Sequence, residues 1–242
     1  MSCNATVRTL RIYARTVNPV ASIARRFIRH SGSLGIRATG CLDIGAGTAP
    51  YEAVIQRAFE TVHYIAMDIA PSDRCSLVGD GCALPFTNEA LDLIVSFDVI
   101  QHVATPARML DEAMRVLKPG GHILLTFPFL YAECDFHDYQ RWTMEGMSVE
   151  LINRNFEIIL AHRRGGAFFA AACALNWAIQ HSIPGQRRFW RASRTPASML
   201  RSGLLILLTI PTNLLSWVAL FLDHILATRG LYVGGAILAR KP

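Results

Sequence analysis

Short apolar runs, each closed by a glycine, a proline or an acid, punctuate the chain and alternate with stretches of helical period. The runs predict strands near residues 40–44, 62–67, 75–78, 91–97, 121–127, 156–162 and 231–239, and the intervening periodicity predicts helices near 50–59, 106–117 and 144–154. Thr105-Pro106 is a good helix start; Met109, Leu110, Ala113, Met114 and Leu117 then share one face, and Pro119-Gly120-Gly121 stops the helix. Thr143 can cap the next helix, and Asn153 or Asn155 can end it. Strands alternating with helices require a mainly parallel, doubly wound sheet, whose ligands bind at the strands' C-terminal edge.

The segment CLDIGAGTAPYEAVI at 41–55 is the first place along that edge where chemistry can be read. A buried strand runs into a turn holding Gly45, Ala46 and Gly47, and a helix starts near Pro50. Glycines let backbone approach a ligand closely, and a helix N-terminus offers unpaired N–H groups and partial positive charge. Asp68 closes the next apolar run and places a carboxylate at a neighbouring strand tip, where a ribose diol can meet it. The dinucleotide fingerprint needs a small third residue where this chain has Pro50. Asp43, just before the turn, suits a cationic amino-acid group better than a pyrophosphate. Both acids fit a ligand with an ammonium, a sulfonium and an adenosine, which is S-adenosylmethionine.

Five segments in order, from about 39 to 165, resemble class I S-adenosylmethionine-dependent methyltransferases of the broad type-11 group. Besides the glycine turn these are VGDGCALPF (78–86), LDLIVSFDVIQHV (91–103), MRVLKPGGHILLTFPF (114–129) and HDYQRWT (137–143). The last is similar to a His-Asp-Tyr-x-Arg-x-Thr element of one subset, many of whose members are linked to surface-glycan or lipid-linked sugar pathways. The resemblance implies a Rossmann-like α/β fold with a seven-stranded, mainly parallel sheet and an antiparallel last strand. It implies a cofactor site of Asp43, Gly45, Ala46, Gly47, Asp68, Ile69, Asp80, Gly81 and Phe97, with Asp43 at the methionine ammonium, Asp68 at the ribose and Asp80 at the adenine amino group.

Methyl transfer from a sulfonium asks mainly for positioning, and a hydroxyl acceptor also needs a base near neutral pKa. His137, oriented by Asp138, is the expected base and His102 the alternative; Tyr139 and Arg141 are expected to hold substrate. Cys134, Asp135, His137 and Asp138 are too crowded to converge on a metal, so no metal is expected. The other histidines read as structural or solvent-facing.

Charge is partitioned rather than uniform in this 242-residue chain of net charge +6. Residues 1–42 carry seven arginines and no acid, residues 43–157 carry seventeen acids against seven bases, and residues 158–242 carry ten bases and the single acid Asp223. Residues 203–222 hold no charge and are long enough to cross a bilayer, although Pro211 interrupts them. Residues 165–183 are also nearly uncharged, and Arg187, Arg188, Arg191, Arg194 and Arg201 lie between the two stretches. The final strand must rejoin the sheet, so one span is excluded, and two spans would export the arginines. An insertion lying on an anionic leaflet through residues 166–226 is favoured over a buried cap or dimer interface, and over a two-span hairpin. Nucleic acid is disfavoured because the basic residues lack interleaved aromatic stacking positions. Six scattered cysteines with no C-x-x-C pair point to a reducing setting.

The expected organisation is an N-terminal helical lid (1–38), with one or two helices over 7–28 broken at Asn18-Pro19, a cofactor-binding core (39–165), an apolar and arginine-rich helical insertion (166–230) and a returning strand (231–242). The expected function is methyl transfer to a hydroxyl or carboxyl of an amphipathic or lipid-linked acceptor, by a cytoplasmic protein peripheral to the inner membrane face. The alternatives are a soluble small-molecule acceptor with the insertion as a cap, or a membrane-associated scaffold that binds cofactor without turnover. Acceptor identity, the atom methylated and oligomeric state are not legible.

Overall fold

The computed structural model describes residues 19–133, 137–181, 196–228 and 230–242; for 180, 181 and 196–210 it describes the backbone alone. The first half of the expected lid, the arginines at 187–194, and Cys134 and Asp135 lie outside the described residues. The described residues divide into two compact units, one built around the sheet (23–129, 137–163 and 234–242) and one around the helical insertion (19–22, 130–133, 164–181, 196–228 and 230–233).

The described elements run α1 (Pro19–Gly32), β1 (Gly40–Ile44), α2 (Glu52–Phe59), β2 (His63–Asp68), β3 (Leu77–Val78), β4 (Leu91–Phe97), α3 (Pro106–Val116), β5 (Leu117–Pro128), α4 (Met144–Ile152), β6 (Glu157–Arg164), α5 (Ala167–His181), α6 (Pro196–Leu226) and β7 (Gly234–Arg240). They form a seven-stranded sheet in the order β3-β2-β1-β4-β5-β7-β6, with β1 to β5 parallel and β7 antiparallel to β5. Strand order reverses between β1 and β4, and a doubly wound sheet opens a crevice at that point.

Alternation along the strands feeds two apolar layers. Cys41, Leu93, Val95, Leu124 and Leu238 meet Ile55 and Phe59 of α2 and Phe27 and Ile28 of α1 on one face. Residues 19–32 of the expected lid are thus a helix packed into the core, with its Phe27 ring stacked on His162 of β6 at 6.3 Å. The other face receives α3 through Met109, Leu110, Ala113 and Val116, all buried. Three boundaries differ from the sequence reading. β5 begins at Leu117, directly after the helix, because Pro119, Gly120 and Gly121 are absorbed in a register shift against β4. β3 shrinks to two residues, and β7 starts three residues late, at Gly234. The Gly235 position is forced: a Cβ there would lie 2.2 Å from the Phe127 ring.

In the helical unit, Asp223 of α6 accepts hydrogen bonds from the backbone N–H groups of Gly166 (2.8 Å), Phe168 (3.0 Å) and Phe169 (2.9 Å), capping the N-terminus of α5. The one acid of the basic third is therefore a helix cap. α6 continues through Pro211. Leu214 (65% exposed), Phe221 (63%), Val218 and Ile225 are exposed on it. Among the described residues no helix is long and apolar enough to cross a membrane.

Candidate active site

The turn after β1 is built from both directions. Gly45 and Ala46 donate their N–H groups to Met67 O at 2.9 and 3.0 Å, so the turn is clamped to the end of β2. Gly45 has φ +72° and lies so close to Val99 that a Cβ would come within 2.3 Å of it. Gly47 has φ +56°, yet a Cβ there meets no atom within 4 Å, so its outer side faces open space. Asp68 at the tip of β2 accepts from Gly47 N at 2.8 Å and Ala70 N at 3.1 Å, and Ile69 beside it is exposed. The acid expected at a ribose therefore also holds the glycine turn in shape.

Asp43 is 2% exposed and accepts the hydroxyl proton of Tyr64 on β2. Burial raises its pKa to about 7, the Tyr64 hydrogen bond pulls the other way, and the nearby Asp68 charge raises it further. Tyr64 reads in sequence as an ordinary strand aromatic; only the parallel pairing of β1 with β2 (Cys41 opposite Tyr64) brings its hydroxyl to Asp43.

Asp80 bends its own loop, accepting from Cys82 N at 2.8 Å, and Gly81 passes close to Ile44. The following loop is pinned to α3: Leu84 N donates to Glu112 (2.8 Å), and Arg115 donates to Leu84 O (3.1 Å) and Phe86 O (2.8 Å). At the end of β4, Phe97 packs on Tyr51 with ring centroids 4.5 Å apart. Asp98 follows with φ +54°, its N–H donated to Thr126 O (3.1 Å).

The two histidines have different freedom. A carbonyl only accepts, so the contact of His102 Nδ1 with His137 O at 3.1 Å fixes the proton on Nδ1. His102 Nε2 then accepts from Gln101 Nε2 at 3.0 Å. Both ring nitrogens are spent, and the expected alternative base has no lone pair left for an acceptor. Gln101 is 3% exposed; its NH₂ is fixed by Asp98 O (2.6 Å), which leaves Oε1 as a buried acceptor without a donor. His137 sits in the left-handed region at φ +37° and is stacked on Tyr139 at 5.8 Å, with Nδ1 3.1 Å from Tyr139 Oη. Its Nε2 is open. Asp138 is not its orienter: the carboxylate is buried and paired with Arg141, one contact at 2.5 Å, in a two-pronged ion pair. Arg141 is correspondingly committed to Asp138 and to Gln140 O (3.0 Å) rather than held out for substrate.

Asp43, Asp68 and Phe97 thus lie at the C-terminal ends of β1, β2 and β4, and Gly45–Gly47, Asp80, His102 and His137 lie in the segments that follow β1, β3, β4 and β5. Residues 42–125 match the family described as "Methyltransferase domain". The chain carries a class I S-adenosylmethionine-dependent methyltransferase domain. Malonyl-acyl-carrier protein O-methyltransferase of Methylococcus capsulatus is 37% identical over 109 residues, covering 40% of this chain and 38% of that protein. The chain thus spans half or less of the length of the curated relatives it matches. Among solved structures, the 4+2 cyclase SpnF aligns with TM-score 0.58 at 18% identity, over 92% of this chain and 81% of that one. Phosphoethanolamine N-methyltransferase 2 of Haemonchus contortus, in complex with S-adenosyl-L-methionine, aligns with TM-score 0.52 at 17% identity, over 86% and 49%. At such identities these likenesses speak for the fold, and the methyltransferase domain's acceptor has to be argued from its own residues.

Proposed function

We propose that the protein transfers a methyl group from S-adenosylmethionine to an oxygen of an amphipathic small molecule, at the crevice between β1 and β4. The observation that carries this is Asp43, a buried carboxylate beside an open glycine turn. When bound, the cofactor supplies a methyl group activated by its sulfonium. Asp43, ionised by the approach of the cofactor's ammonium, would hold the amino-acid end; Gly45 to Gly47 give it backbone, and Asp68 and Asp80 would take the ribose and the adenine. Ile69, Gly81 and Phe97 flank it, and the orphan Oε1 of Gln101 offers one further acceptor. His137 takes the acceptor's proton through Nε2, with Nδ1–H donated to Tyr139 Oη holding the ring in that tautomer.

An amphipathic acceptor is favoured by the exposed Leu214, Val218, Phe221 and Ile225 of α6 and by the arginines at 187–201 in the sequence. We place the protein on the cytoplasmic side of an anionic membrane surface, with residues 166–226 as the contact. Malonyl-acyl-carrier protein O-methyltransferase, the relative noted above, is named for transfer to oxygen. The experiment is incubation of the purified chain with methyl-labelled cofactor and a cell extract, followed by phase partition. Label in the organic phase supports the amphipathic acceptor; label confined to water-soluble molecules rejects it; no transfer despite cofactor binding rejects the enzymatic reading.

A further inference from the structure

A cavity lies in the groove between α1 and α2. It is an open groove of about 430 Å³, a volume within the range of small-molecule sites. Its chemistry is divided: Pro50, Ala53 and Val54 form an apolar wall, and Arg25, Arg29 and Arg57 supply three guanidinium groups with no acid among the lining residues. Arg25 lies over the ring of Tyr51, 5.8 Å from its centroid. The side chains of Arg29 and Arg57 make no hydrogen bond or ion pair with any described residue. The acid at the end of α2, Glu60, is taken by Arg37 at 3.3 Å. The groove is rigid at its far end, where Gly32 packs so tightly that a Cβ would come within 2.3 Å of Ala58 O. Arginines in the last turns of α1 and α2 offset the helix dipoles, but that role does not require two helices to aim them into one cavity.

We infer that this cavity is an anion site for the phosphoryl group of an amphipathic ligand. Guanidinium forks match phosphate oxygens in two-pronged contacts, and the apolar wall accepts the carbon portion next to the phosphate. The inference does not rest on methyl transfer. A lipid headgroup and a free phosphorylated molecule offer the same chemistry, and the test separates them.

Full-length protein is titrated with inorganic phosphate at constant ionic strength, and in parallel sedimented with vesicles of phosphatidylglycerol in phosphatidylcholine. Both measurements are repeated on the double variant Arg29→Gln/Arg57→Gln and on Arg108→Gln, an exposed arginine of α3, as a charge control. Loss of phosphate affinity by tenfold or more in the double variant alone supports a free phosphorylated ligand. An equal loss confined to the vesicles supports a headgroup. Unchanged or absent binding in both arms overturns the site. S-adenosylhomocysteine affinity, measured on every variant, shows that the fold is intact; it stays at the wild-type value if the cavity is separate from the cofactor crevice.

Discussion

The Tyr64 hydroxyl donates to the buried carboxylate of Asp43 across two neighbouring parallel strands. This pair joins the fold to the chemistry, because burial and the nearby Asp68 raise the Asp43 pKa to about 7 while Tyr64 restrains the rise. If the cofactor's ammonium binds only the ionised carboxylate, affinity falls about tenfold for each pH unit below 7. At pH 5.5 S-adenosylhomocysteine then binds about thirtyfold more weakly than its plateau value. Asp43→Asn binds weakly at every pH, with a flat profile. Calorimetric titration from pH 5 to 8.5 reads both.

The same group sets a stability trend of defined sign. Folded Asp43 holds its proton to about pH 7, whereas the unfolded group releases it near 3.8. Its contribution is complete below the unfolded value and is lost as pH rises from about 4 to 7. His122 and His162, with pKa values lowered by burial, work in the opposite direction near their own titration. The Tm of wild type minus that of Asp43→Asn isolates the carboxylate and should fall steadily as pH rises across that window. Tyr64→Phe removes the restraining hydrogen bond and should move the midpoint of the binding profile above that of wild type.

Gly45 and Gly47 should separate under the same substitution. Gly45→Ala brings a methyl to 2.3 Å from Val99 and should cost more than about 2 kcal/mol in denaturant titration. Gly47→Ala meets no neighbouring atom, so its cost is the positive φ alone, about 1 kcal/mol. Its effect falls instead on the cofactor, whose affinity drops at least tenfold while the protein stays folded.

His137→Gln should lower the transfer rate by about 100-fold or more and leave S-adenosylhomocysteine affinity unchanged. Tyr139→Phe keeps the ring stacking but loses the Nδ1 contact, and so should shift the pH–rate profile more than it lowers the plateau rate. His102→Gln should perturb stability, since its ring bridges Gln101 and the His137 carbonyl. A His102 variant with full stability and no turnover would reverse the roles of the two histidines.

Asp223→Ala strips three backbone N–H groups of their acceptor at the start of α5. The expected cost is about 1–3 kcal/mol, with faster amide exchange confined to the first turn of that helix.

The sheet was legible because each strand ends in a residue that cannot continue it, as at Ile44-Gly45 and Asp68, and because the α3 face repeats at helical spacing. The glycine turn and its acids were legible for the same reason: a local sequence encodes a local backbone need. Partnerships across the fold were not. Asp138 stands next to His137 in sequence, but its buried carboxylate turns to Arg141, and the ring of His137 meets Tyr139 two residues on. His102 looks free on the chain and is bonded at both nitrogens in space. Tyr64 carried no signal, because its role depends on the register of β1 against β2. Phe27 and Ile28 join residues 19–32 to the packed face of the sheet, a partnership across the fold that the basic character of the segment did not signal.

The central claim is that the Asp43, Gly45–Gly47 and Asp68 crevice binds S-adenosylmethionine. Calorimetric titration of the purified chain with S-adenosylhomocysteine, beside Asp68→Ala, tests it most directly. The account predicts saturable one-site binding by wild type and a loss of about 100-fold or more in the variant, which gives up a charged acceptor and the support of Gly47. No binding by wild type, or equal binding by Asp68→Ala, would contradict it.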